Sequence, residues 1–444
     1  MSRRRKPLPQ GPFEAEIEGL THEGRGLAHL DGKAVFIEGA LPGERVRFRY
    51  VRTQRRYDEG VTLEILRPAP ERVTPGCSHF GVCGGCALQH MDADAQIRFK
   101  QASLAEVFVR IGKVTPLRWL EPLSARAWGY RRKARLGVRH VTKKGRTLVG
   151  FRERGSSFIA DLNRCEVLHP SVGGRIKAIA DALDSLSIRQ QVPQIEVALG
   201  DTPPVLVFRV LAPPSAADLG VLGALAEHEG LHVYLQESGP ESIRPLPGQG
   251  LALYYELPSH DLRIAFEPTD FTQVNLEVNR LMVDQALGLL DVQPDEQVLD
   301  LFCGVGNFTL PLARRAQRVV GVEGDAGLVA RAESNATLNK ITNASFYAAD
   351  LYGELDVEPW LREGFAKALL DPPRSGALTI IDWLPRLGVD RMLYVSCYPT
   401  TLARDADRLV NGLGYRLVAA GVMDMFPQTA HVESLALFER AGRV

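Results

Sequence analysis

The spacing of apolar and polar residues changes twice along the chain. In residues 1–68, short alternating runs such as 33–37 are separated by glycine-bearing turns, which predicts a small β-barrel after a basic N-terminal tail. Residues 69–265 show mostly β patterns, with one amphipathic helix over 92–112 that we expect to pack on the domain that follows. From 266 to 444, apolar runs alternate with helical patterns, so we predict a multi-domain α/β protein ending in a Rossmann-like domain.

Local charge says more about partners than net charge, because 53 Lys and Arg residues balance 53 Asp and Glu residues. The barrel carries a run of arginines interleaved with Tyr50 and Tyr57, namely Arg45, Arg47, Arg49, Arg52, Arg55 and Arg56. A solvated strand face would explain the run, but phosphate contacts and base stacking suit it better, so we favour RNA binding. A second basic stretch, 128–146, fits a solvated hairpin and an RNA contact about equally well.

No apolar run is long enough to cross a bilayer, and the charged N-terminus is not followed by the apolar stretch of a secretory signal. We therefore expect a cytoplasmic protein without a membrane partner, and a monomer by default. In a reducing compartment its six cysteines are more often metal ligands or catalytic groups than disulfides.

Three of the cysteines, Cys77, Cys83 and Cys86, lie within ten residues and are separated by glycines. Thiolates are soft donors and glycine lets the backbone wrap closely, so this segment predicts a metal-binding loop. Cys165 is the best candidate for a fourth thiolate, because the remaining two cysteines lie in other motifs. The spacing leaves two metals open: zinc, which could also use His79 or His90, and an iron–sulfur cluster.

The segment 297–309 predicts a strand, a glycine turn and the start of a helix. Glu323 ends the next strand about twenty residues later, where an acid can bind ribose hydroxyls. Phe302 and Asn307 at the turn fit S-adenosylmethionine better than a pyrophosphate, which would need a freer helix N-terminus. The following two strands end at Asp350 and at Asp371, which we expect to line the same pocket.

Cys397 follows the apolar run 392–395, at the expected C-terminal edge of the sheet. A lone cysteine is more often an inert core residue than a nucleophile, by roughly three to one. A second motif favours the nucleophile. Glu433 opens the last predicted strand and could serve as a proton acceptor beside a thiol nucleophile.

Three segments, 371–376, 394–397 and 424–433, resemble the signatures of the RNA uracil-C5-methyltransferases in order, spacing and content. The barrel resembles a TRAM domain, an RNA-binding barrel of RNA-modifying enzymes. With the cysteine loop, the resemblance covers nearly the whole chain. It is strongest to the subgroup that methylates uracil 1939 of 23S ribosomal RNA and carries a [4Fe–4S] cluster.

The resemblance implies the role of each site residue. Cys397 would be the nucleophile that adds to uracil C6, and Glu433 the base that removes the C5 proton. The cluster would be held by Cys77, Cys83, Cys86 and Cys165. The S-adenosylmethionine site would be lined by Gln273, Phe302, Asn307, Glu323, Asp350 and Asp371. The substrate would be a uridine in a loop of 23S ribosomal RNA, flipped into the pocket.

One position departs from the family pattern: Tyr398 stands where an asparagine usually follows the cysteine, which puts any role of that asparagine in doubt. Three rival functions are a non-catalytic RNA-binding factor, an RNA cytosine-C5 methyltransferase and a tRNA uracil methyltransferase. Intact Cys397 and Glu433 argue against the first. Related cytosine enzymes use a second cysteine where Glu433 stands, and the barrel and cysteine loop disfavour the third.

Overall fold

The computed structural model describes residues 8–353, 355 and 358–440, which form two compact units. The first unit contains the described residues up to Lys100 together with Arg152–Phe158 and Pro427–His431, and the second unit contains the rest. The two compact units do not coincide with the three predicted domains. The domain boundaries at residues 68 and 265 therefore stay a prediction about function.

The first unit is built on a six-stranded sheet in the order β1-β5-β6-β4-β3-β2. Its strands are β1 (Phe13–Glu16), β2 (Gly19–Leu20), β3 (Gly26–Leu30), β4 (Lys33–Glu38), β5 (Arg45–Thr53) and β6 (Tyr57–Arg67). Alternate residues such as Val35, Ile37 and Phe48 are fully buried and form a small separate core. The small β unit was expected from alternating runs such as 33–37, which forms most of β4.

Helix α1 (Ala93–Val107) begins in the first unit, and its last turns widen into a π-helical segment, Phe108–Gly112, in the second. This confirms the helix predicted over 92–112. The π-helical end packs tightly on the helix Pro399–Asp407 of the second unit, because a Cβ placed on Gly112 would lie only 2.8 Å from the carbonyl oxygen of Ala403.

The second unit contains two larger sheets and a hairpin. The first sheet has the order β13-β12-β11-β10-β8-β9 and the hairpin pairs β14 with β15. The strands are β7 (Arg118–Trp119), β8 (Lys133–Val141), β9 (Arg146–Gly150), β10 (Gln194–Ala198), β11 (Val205–Arg209), β12 (His232–Gln236), β13 (Arg244–Pro245), β14 (Leu253–Leu257) and β15 (Leu262–Phe266). Helices α2 (Pro170–Gly173), α3 (Ile176–Asp184) and α4 (Ala216–Glu229) complete this part.

The largest sheet has eight strands in the order β18-β17-β16-β19-β20-β22-β21-β7. Its remaining strands are β16 (Gln297–Leu301), β17 (Arg318–Glu323), β18 (Ala344–Ala348), β19 (Lys367–Leu370), β20 (Arg391–Ser396), β21 (Tyr415–Met423) and β22 (Glu433–Arg440). Helices α5 (Leu276–Leu290), α6 (Thr309–Ala313), α7 (Ala326–Leu338), α8 (Leu378–Ile381) and α9 (Pro399–Asp407) accompany it.

The strands β16 to β20 of this sheet are parallel, whereas β22 is antiparallel to both of its neighbours. Strands β16, β17, β19 and β20 are buried along nearly their whole length, as in sheets covered on both faces, whereas the edge strand β18 is partly exposed. The predicted α/β domain is therefore confirmed, and the carboxyl ends of β16, β17, β19 and β20 lie along one edge. Within the described residues, no helix is both long and apolar enough to cross a membrane.

Candidate active site

The turn after β16 has an unusual backbone. Phe302, Gly304 and Gly306 all have positive φ angles, of 64°, 54° and 93°. A bulky aromatic residue rarely adopts this conformation, and such outliers concentrate at functional sites. A side chain at Gly306 would also be crowded, because its Cβ would lie 3.1 Å from Cγ of Leu310. The turn thus brings backbone N–H groups to the sheet edge, as a ligand-binding loop requires.

Glu323 ends β17 and is fixed at this turn by three backbone donors. Its Oε2 accepts a hydrogen bond from the N–H of Gly304 at 3.0 Å. Its Oε1 accepts from Gly324 at 2.7 Å and Asp325 at 3.2 Å. The carboxylate that was predicted to bind ribose is therefore oriented by the loop itself, and it lies next to the glycine turn.

Asn307 takes part in a side-chain network that the sequence did not reveal. Its Oδ1 accepts hydrogen bonds from the hydroxyl of Tyr255 at 2.8 Å and from the amide of Asn279 at 3.0 Å. Its own amide donates to Oδ1 of Asn279 at 3.1 Å. The reciprocal pair fixes which way the Asn307 amide points. The hairpin residue Tyr255 and the α5 residue Asn279 thereby support the cofactor turn.

Asp371 follows β19 and lies beside Gln273, whose Nε2 donates to Oδ2 of Asp371 over 3.5 Å, the outer limit of a hydrogen bond. Burial, and then the charge of Glu323, raise the pKa of Asp371 to about 7. Gln273 and Asn279 also line a small recess at this end of the sheet. The predicted pocket residues Gln273, Glu323 and Asp371 are thus brought together.

Asp350 lies just after β18, at the same edge, but it is exposed. Its Oδ1 accepts a hydrogen bond from the N–H of Tyr352 at 2.9 Å. The Tyr352 ring lies 5.8 Å from that of Phe302, between centroids, and its hydroxyl donates to the carbonyl of Gly376 at 2.9 Å. Asp350 therefore shapes a loop that continues the aromatic wall begun by Phe302.

Asp300, inside β16, is an acidic residue whose importance the sequence analysis missed. It is fully buried, one oxygen accepts a 2.5 Å hydrogen bond from Thr309, and the other has no partner among the described residues. Burial, reinforced by the charges of Asp371 and Glu323, raises its pKa to about 8. A single acid within an apolar strand was the signal available in the sequence.

Cys397 and Glu433 lie at the same end of two paired strands. The register of β20 and β22 ends with Ser396 opposite Ser434, and one further step places Cys397 opposite Glu433. Glu433 is 8 % exposed, whereas Cys397 is half-buried and accessible.

The same neighbours influence the pKa of the Cys397 thiol. Burial raises the pKa of its thiol to about 11, and the charges of Glu433 and Asp371 add to the effect, while Arg374 opposes it. The sequence motif that contains Arg374 was expected to form a wall of the pocket, but its influence on the thiol was not foreseen. The thiol, the two acids and the cofactor turn therefore lie at one edge of the sheet.

The turn that carries Cys397 is held by Ser396 rather than by the side chain of Tyr398. The Ser396 hydroxyl accepts from the N–H of Tyr398 at 3.1 Å and donates to its carbonyl oxygen at 3.2 Å. The side chain of Tyr398 is 42 % exposed, and Pro399 begins α9 directly after it. The departure from the family pattern thus falls where the turn does not depend on the side chain.

The cysteine loop lies in the first unit, and Cys165 lies in the second. The pKa of Cys83 is raised by burial, with a further contribution from Cys77, while the N–H of Gly85 points at the Cys83 sulfur at 3.4 Å. Arg154 bonds to the carbonyl of Cys86. Among residues 8–353, 355 and 358–440, however, no three His, Cys, Asp or Glu side chains form a group that could hold a metal ion.

The two basic stretches differ in how far ion pairs neutralise them. In the second, Lys144 and Arg146 both pair with Asp161, and Lys133 donates to the carbonyl oxygens of Pro268 and Asp270. Burial lowers the pKa of Lys133 to about 8. This stretch therefore largely serves the protein's own structure.

In the barrel, Arg45 and Arg47 pair with Glu14. Arg49, Arg52, Arg55 and Arg56 are exposed, and the described structure shows no ion pair for them. The four side chains lie on β5 and the turn that follows it, and they leave a positive surface open to solvent.

Comparison with known proteins agrees with this geometry. A family model described as tRNA (Uracil-5-)-methyltransferase matches residues 255–351 and 360–441, and a TRAM domain model matches 13–62. A protein of Alkalilimnicola ehrlichii named 23S rRNA (uracil(1939)-C(5))-methyltransferase RlmD is 55 % identical over 445 residues, covering 100 % of both chains. A protein of the same name from Nitrosococcus oceani is 57 % identical, covering 99 % of both. The chain belongs to the RNA uracil-C5-methyltransferase family.

A solved member of this family has the same fold. The tRNA (uracil-54, C5)-methyltransferase of Pyrococcus abyssi, in complex with S-adenosyl-L-homocysteine, superposes with a TM-score of 0.73 at 23 % identity, covering 96 % of this chain and 100 % of its own. The residues described above fit the family's methyl donor, because the strained Phe302 turn and the fixed Glu323 carboxylate form a polar cradle, and clustered acids favour a cationic sulfonium.

Proposed function

We infer that this chain methylates C5 of uracil in 23S ribosomal RNA, with S-adenosylmethionine as the methyl donor. The observation that carries this conclusion is the placement of Cys397 opposite Glu433, at the sheet edge where Asp371 and the cofactor turn also lie. Relatives with that activity in their names are 50–57 % identical over essentially the full chain. The TRAM domain and its exposed arginines provide a surface for the RNA.

We propose that Cys397 is the nucleophile of a covalent mechanism. Uracil C5 is a poor nucleophile, but addition of the Cys397 thiolate to C6 forms a Cys–C6 bond and moves an electron pair onto C5, as an enolate. C5 then takes the methyl group that S-adenosylmethionine supplies, which leaves a neutral thioether. The ring at this stage carries both the new methyl group and the original proton on C5.

Glu433 is proposed to complete the reaction as a general base. It takes the C5 proton, the C5–C6 double bond re-forms, and the Cys397 thiolate leaves with the bonding electrons. The positions of the two residues support these roles, because Cys397 directly follows β20 and Glu433 is the first residue of the neighbouring strand β22. The Cys397 thiolate is thereby regenerated, and Glu433 releases the proton to solvent before the next cycle.

We propose Gln273, Phe302, Asn307, Glu323, Asp350 and Asp371 as the residues that hold the methyl donor. Glu323, with its three backbone donors, would bind the ribose, and Phe302 would flank the adenine. Asn307 would act chiefly through the backbone turn, since Tyr255 and Asn279 already occupy its side-chain oxygen. Asp350 would contribute through its loop rather than deep in the pocket, because its side chain is exposed.

We propose position 1939 as the target, from the names of the relatives. The uridine would lie in a loop or be flipped out of a helix, because C5 and C6 are not accessible to the thiol within a base-paired stack. We further propose that the enzyme acts in the cytoplasm as a monomer, with a barrel domain (1–68), a central domain (69–265) and a methyltransferase domain (266–444) as its functional parts.

We propose that Cys77, Cys83, Cys86 and Cys165 hold a [4Fe–4S] cluster, with a structural role. The sequence resemblance supports this set, as do the proximity of Cys77 to Cys83 and the N–H of Gly85 directed at a cysteine sulfur. Anaerobically purified protein should be brown and contain iron and sulfide in equal amounts. A colourless protein that contains zinc would refute the cluster.

The activity is tested with unmodified 23S ribosomal RNA and unmodified tRNA, each incubated with the protein and S-adenosylmethionine. Nucleoside mass spectrometry should find 5-methyluridine in the ribosomal RNA alone, and mapping of the modified fragment gives the position. Cys397→Ala should abolish the product, and Glu433→Gln should trap RNA on the protein as a slower band on a denaturing gel. Methylation of tRNA alone would refute the substrate, and turnover by Cys397→Ala would refute the nucleophile.

A further inference from the structure

The loop before Glu433 and the strand that begins at Glu433 belong to different compact units. Residues Pro427–His431 belong to the first unit, while the chain on both sides of them belongs to the second. Within this short segment Gln428 has a φ angle of 67° and is only 5 % exposed. A buried glutamine in the left-handed region is costly, and it persists only where the surroundings impose it.

The backbone of Gln428 is hydrogen-bonded on both sides. Its carbonyl oxygen accepts from the N–H groups of Ala87 at 2.9 Å and Leu88 at 3.0 Å, the two residues that directly follow the cysteine loop. Its own N–H donates to Oε1 of Gln96, on α1, at 2.9 Å. These three bonds fix the peptide groups on either side of the strained residue.

Gln96 completes the arrangement with its amide donors. Its Nε2 donates to Oε1 of Gln428 at 3.1 Å, and also to the carbonyl oxygens of Leu88 at 3.1 Å and Met91 at 2.9 Å. Gln96 is 2 % exposed, so its bonds are shielded from water. We refer to Gln96, Gln428 and the backbone of residues 87–91 as the amide clamp. Every member of the clamp belongs to the first unit.

We propose that the amide clamp positions Glu433 for removal of the C5 proton, and that Gln96 and Gln428 are therefore positioning residues. The inference rests on the proposed role of Glu433 as the base. Only four residues separate Gln428 from Glu433, so a change in the backbone at Gln428 alters where β22 begins. Proton transfer requires hydrogen-bond reach, and displacement of a catalytic group by about 1 Å can cost about a hundredfold in rate.

The clamp acts on one step of the reaction and not on the others. Cys397 is carried by β20 and its turn is closed by Ser396, so neither depends on Gln96. Loss of the clamp should therefore spare attack and methyl transfer and slow release of the product. The covalent complex between Cys397 and methylated RNA should then accumulate, which a general loss of folded protein would not produce.

The test uses the full-length protein carrying Gln96→Met, which keeps the side-chain length but has no amide. It is compared with wild type on unmodified 23S ribosomal RNA. First-turnover methyl transfer should stay within about threefold of wild type, while release of 5-methyluridine-containing RNA should slow by about tenfold or more. The fraction of RNA that migrates as a protein adduct on a denaturing gel should rise accordingly.

Three further variants serve as controls. Gln101→Met changes a glutamine of the same helix whose buried amide atoms have no hydrogen-bond partner in the described structure, so it should behave as wild type. Gln428→Gly keeps the three backbone hydrogen bonds and suits the positive φ but loses the side-chain bond to Gln96, so it should slow product release less than Gln96→Met does. Gln96→Glu keeps the acceptor for the Gln428 N–H but loses the donors, and should accumulate adduct even if Gln96→Met is insoluble.

The outcomes separate the clamp from the chemistry it serves. Adduct accumulation in the Gln96 variants and in Glu433→Gln supports the inference. Accumulation in Glu433→Gln alone, or a parallel loss of methyl transfer and release in both Gln96 variants, overturns the clamp but leaves the proposed base intact. If Glu433→Gln itself accumulates no adduct while it loses turnover, the proposed role of Glu433 fails, and the clamp inference fails with it.

Discussion

The thiol of Cys397 should be almost unreactive in the free protein at neutral pH. Burial, followed by the charges of Glu433 and Asp371, raises its pKa to about 11. At pH 7 this leaves about one thiol in ten thousand ionised, which corresponds to roughly 5 kcal/mol at 1.36 kcal/mol per pKa unit. Because the thiolate is the nucleophile, substrate and cofactor binding must offset much of this cost before attack.

Alkylation by iodoacetamide measures the ionised fraction of the Cys397 thiol. The peptide that contains Cys397 is quantified by mass spectrometry, so that the other cysteines do not interfere. The logarithm of the rate should rise by about one for each pH unit between pH 7 and pH 10, without a plateau, because the thiolate fraction rises in that proportion. Glu433→Gln should move the profile to lower pH, since it removes the negative charge that disfavours the thiolate most.

Glu439→Gln is the matched control. Glu439 lies on the same strand, β22, about 20 Å from Glu433 at the rise of a β-strand, and it pairs with Arg391. This variant should leave the pH profile of Cys397 unchanged. A plateau below pH 9 in the wild type would refute the reasoning about burial. An unchanged profile in Glu433→Gln would refute the predicted proximity of the two side chains.

Three further predictions concern stability and RNA binding. Asp300→Asn should raise the melting temperature more at pH 9 than at pH 5. The pKa of the buried Asp300 is about 8, so the contribution of its protonated form to stability is lost as the pH rises from about 4 to 8. Equal shifts of the melting temperature at the two pH values would refute this. Arg52→Glu should weaken RNA binding and lower its salt dependence by about one counterion, whereas Arg45→Glu, already paired in the wild type, should do less in a filter-binding titration. Arg72→Met should lower the free energy of urea unfolding by about 3 kcal/mol, because it leaves the fully buried Glu44 carboxylate without its cation; a change below about 1 kcal/mol would contradict it.

The sequence predicted those parts of the structure that depend on local pattern. The apolar run 392–395 became the centre of β20, and the turn 302–307 became the loop that follows β16. Glu323 and Asp371 end neighbouring strands, so a parallel sheet had to bring them to one edge. The same reasoning placed Cys397 there.

Long-range pairing could not be predicted in the same way. The motif that ends at Glu433 was treated as one strand start, yet residues 427–431 of it belong to the first unit, through bonds to residues 332 positions away in sequence. The supporting pair Tyr255 and Asn279 is likewise fixed only by folding, since neither residue stands in a recognisable motif. Similarly, the basic stretch 128–146 could not be separated from an RNA contact until its partners, such as Asp161, were known.

The last prediction follows from the excess of negative charge at the sheet edge. Asp300 and Asp371 have raised pKa values because burial and neighbouring acids disfavour their ionised forms, and the Cys397 thiol is affected in the same direction by Glu433 and Asp371. A bound cation should lower the pKa values of all three groups. S-adenosylmethionine carries a positive sulfonium, whereas S-adenosylhomocysteine has a neutral sulfur and nearly the same shape.

S-adenosylmethionine should therefore lower the pH at which Cys397 is alkylated, and S-adenosylhomocysteine should lower it less. Both ligands exclude water and reagent similarly, so the difference between their pH profiles isolates the sulfonium charge from steric protection. At a distance of several ångströms and an effective dielectric of about 20, one unit charge contributes roughly 2–3 kcal/mol, or about two pKa units. Identical profiles would mean that the sulfonium is screened from the thiol, and activation would then have to come from the RNA alone. A difference of the expected size would make donor binding the event that prepares the nucleophile, so that a thiolate forms only when a methyl group is available.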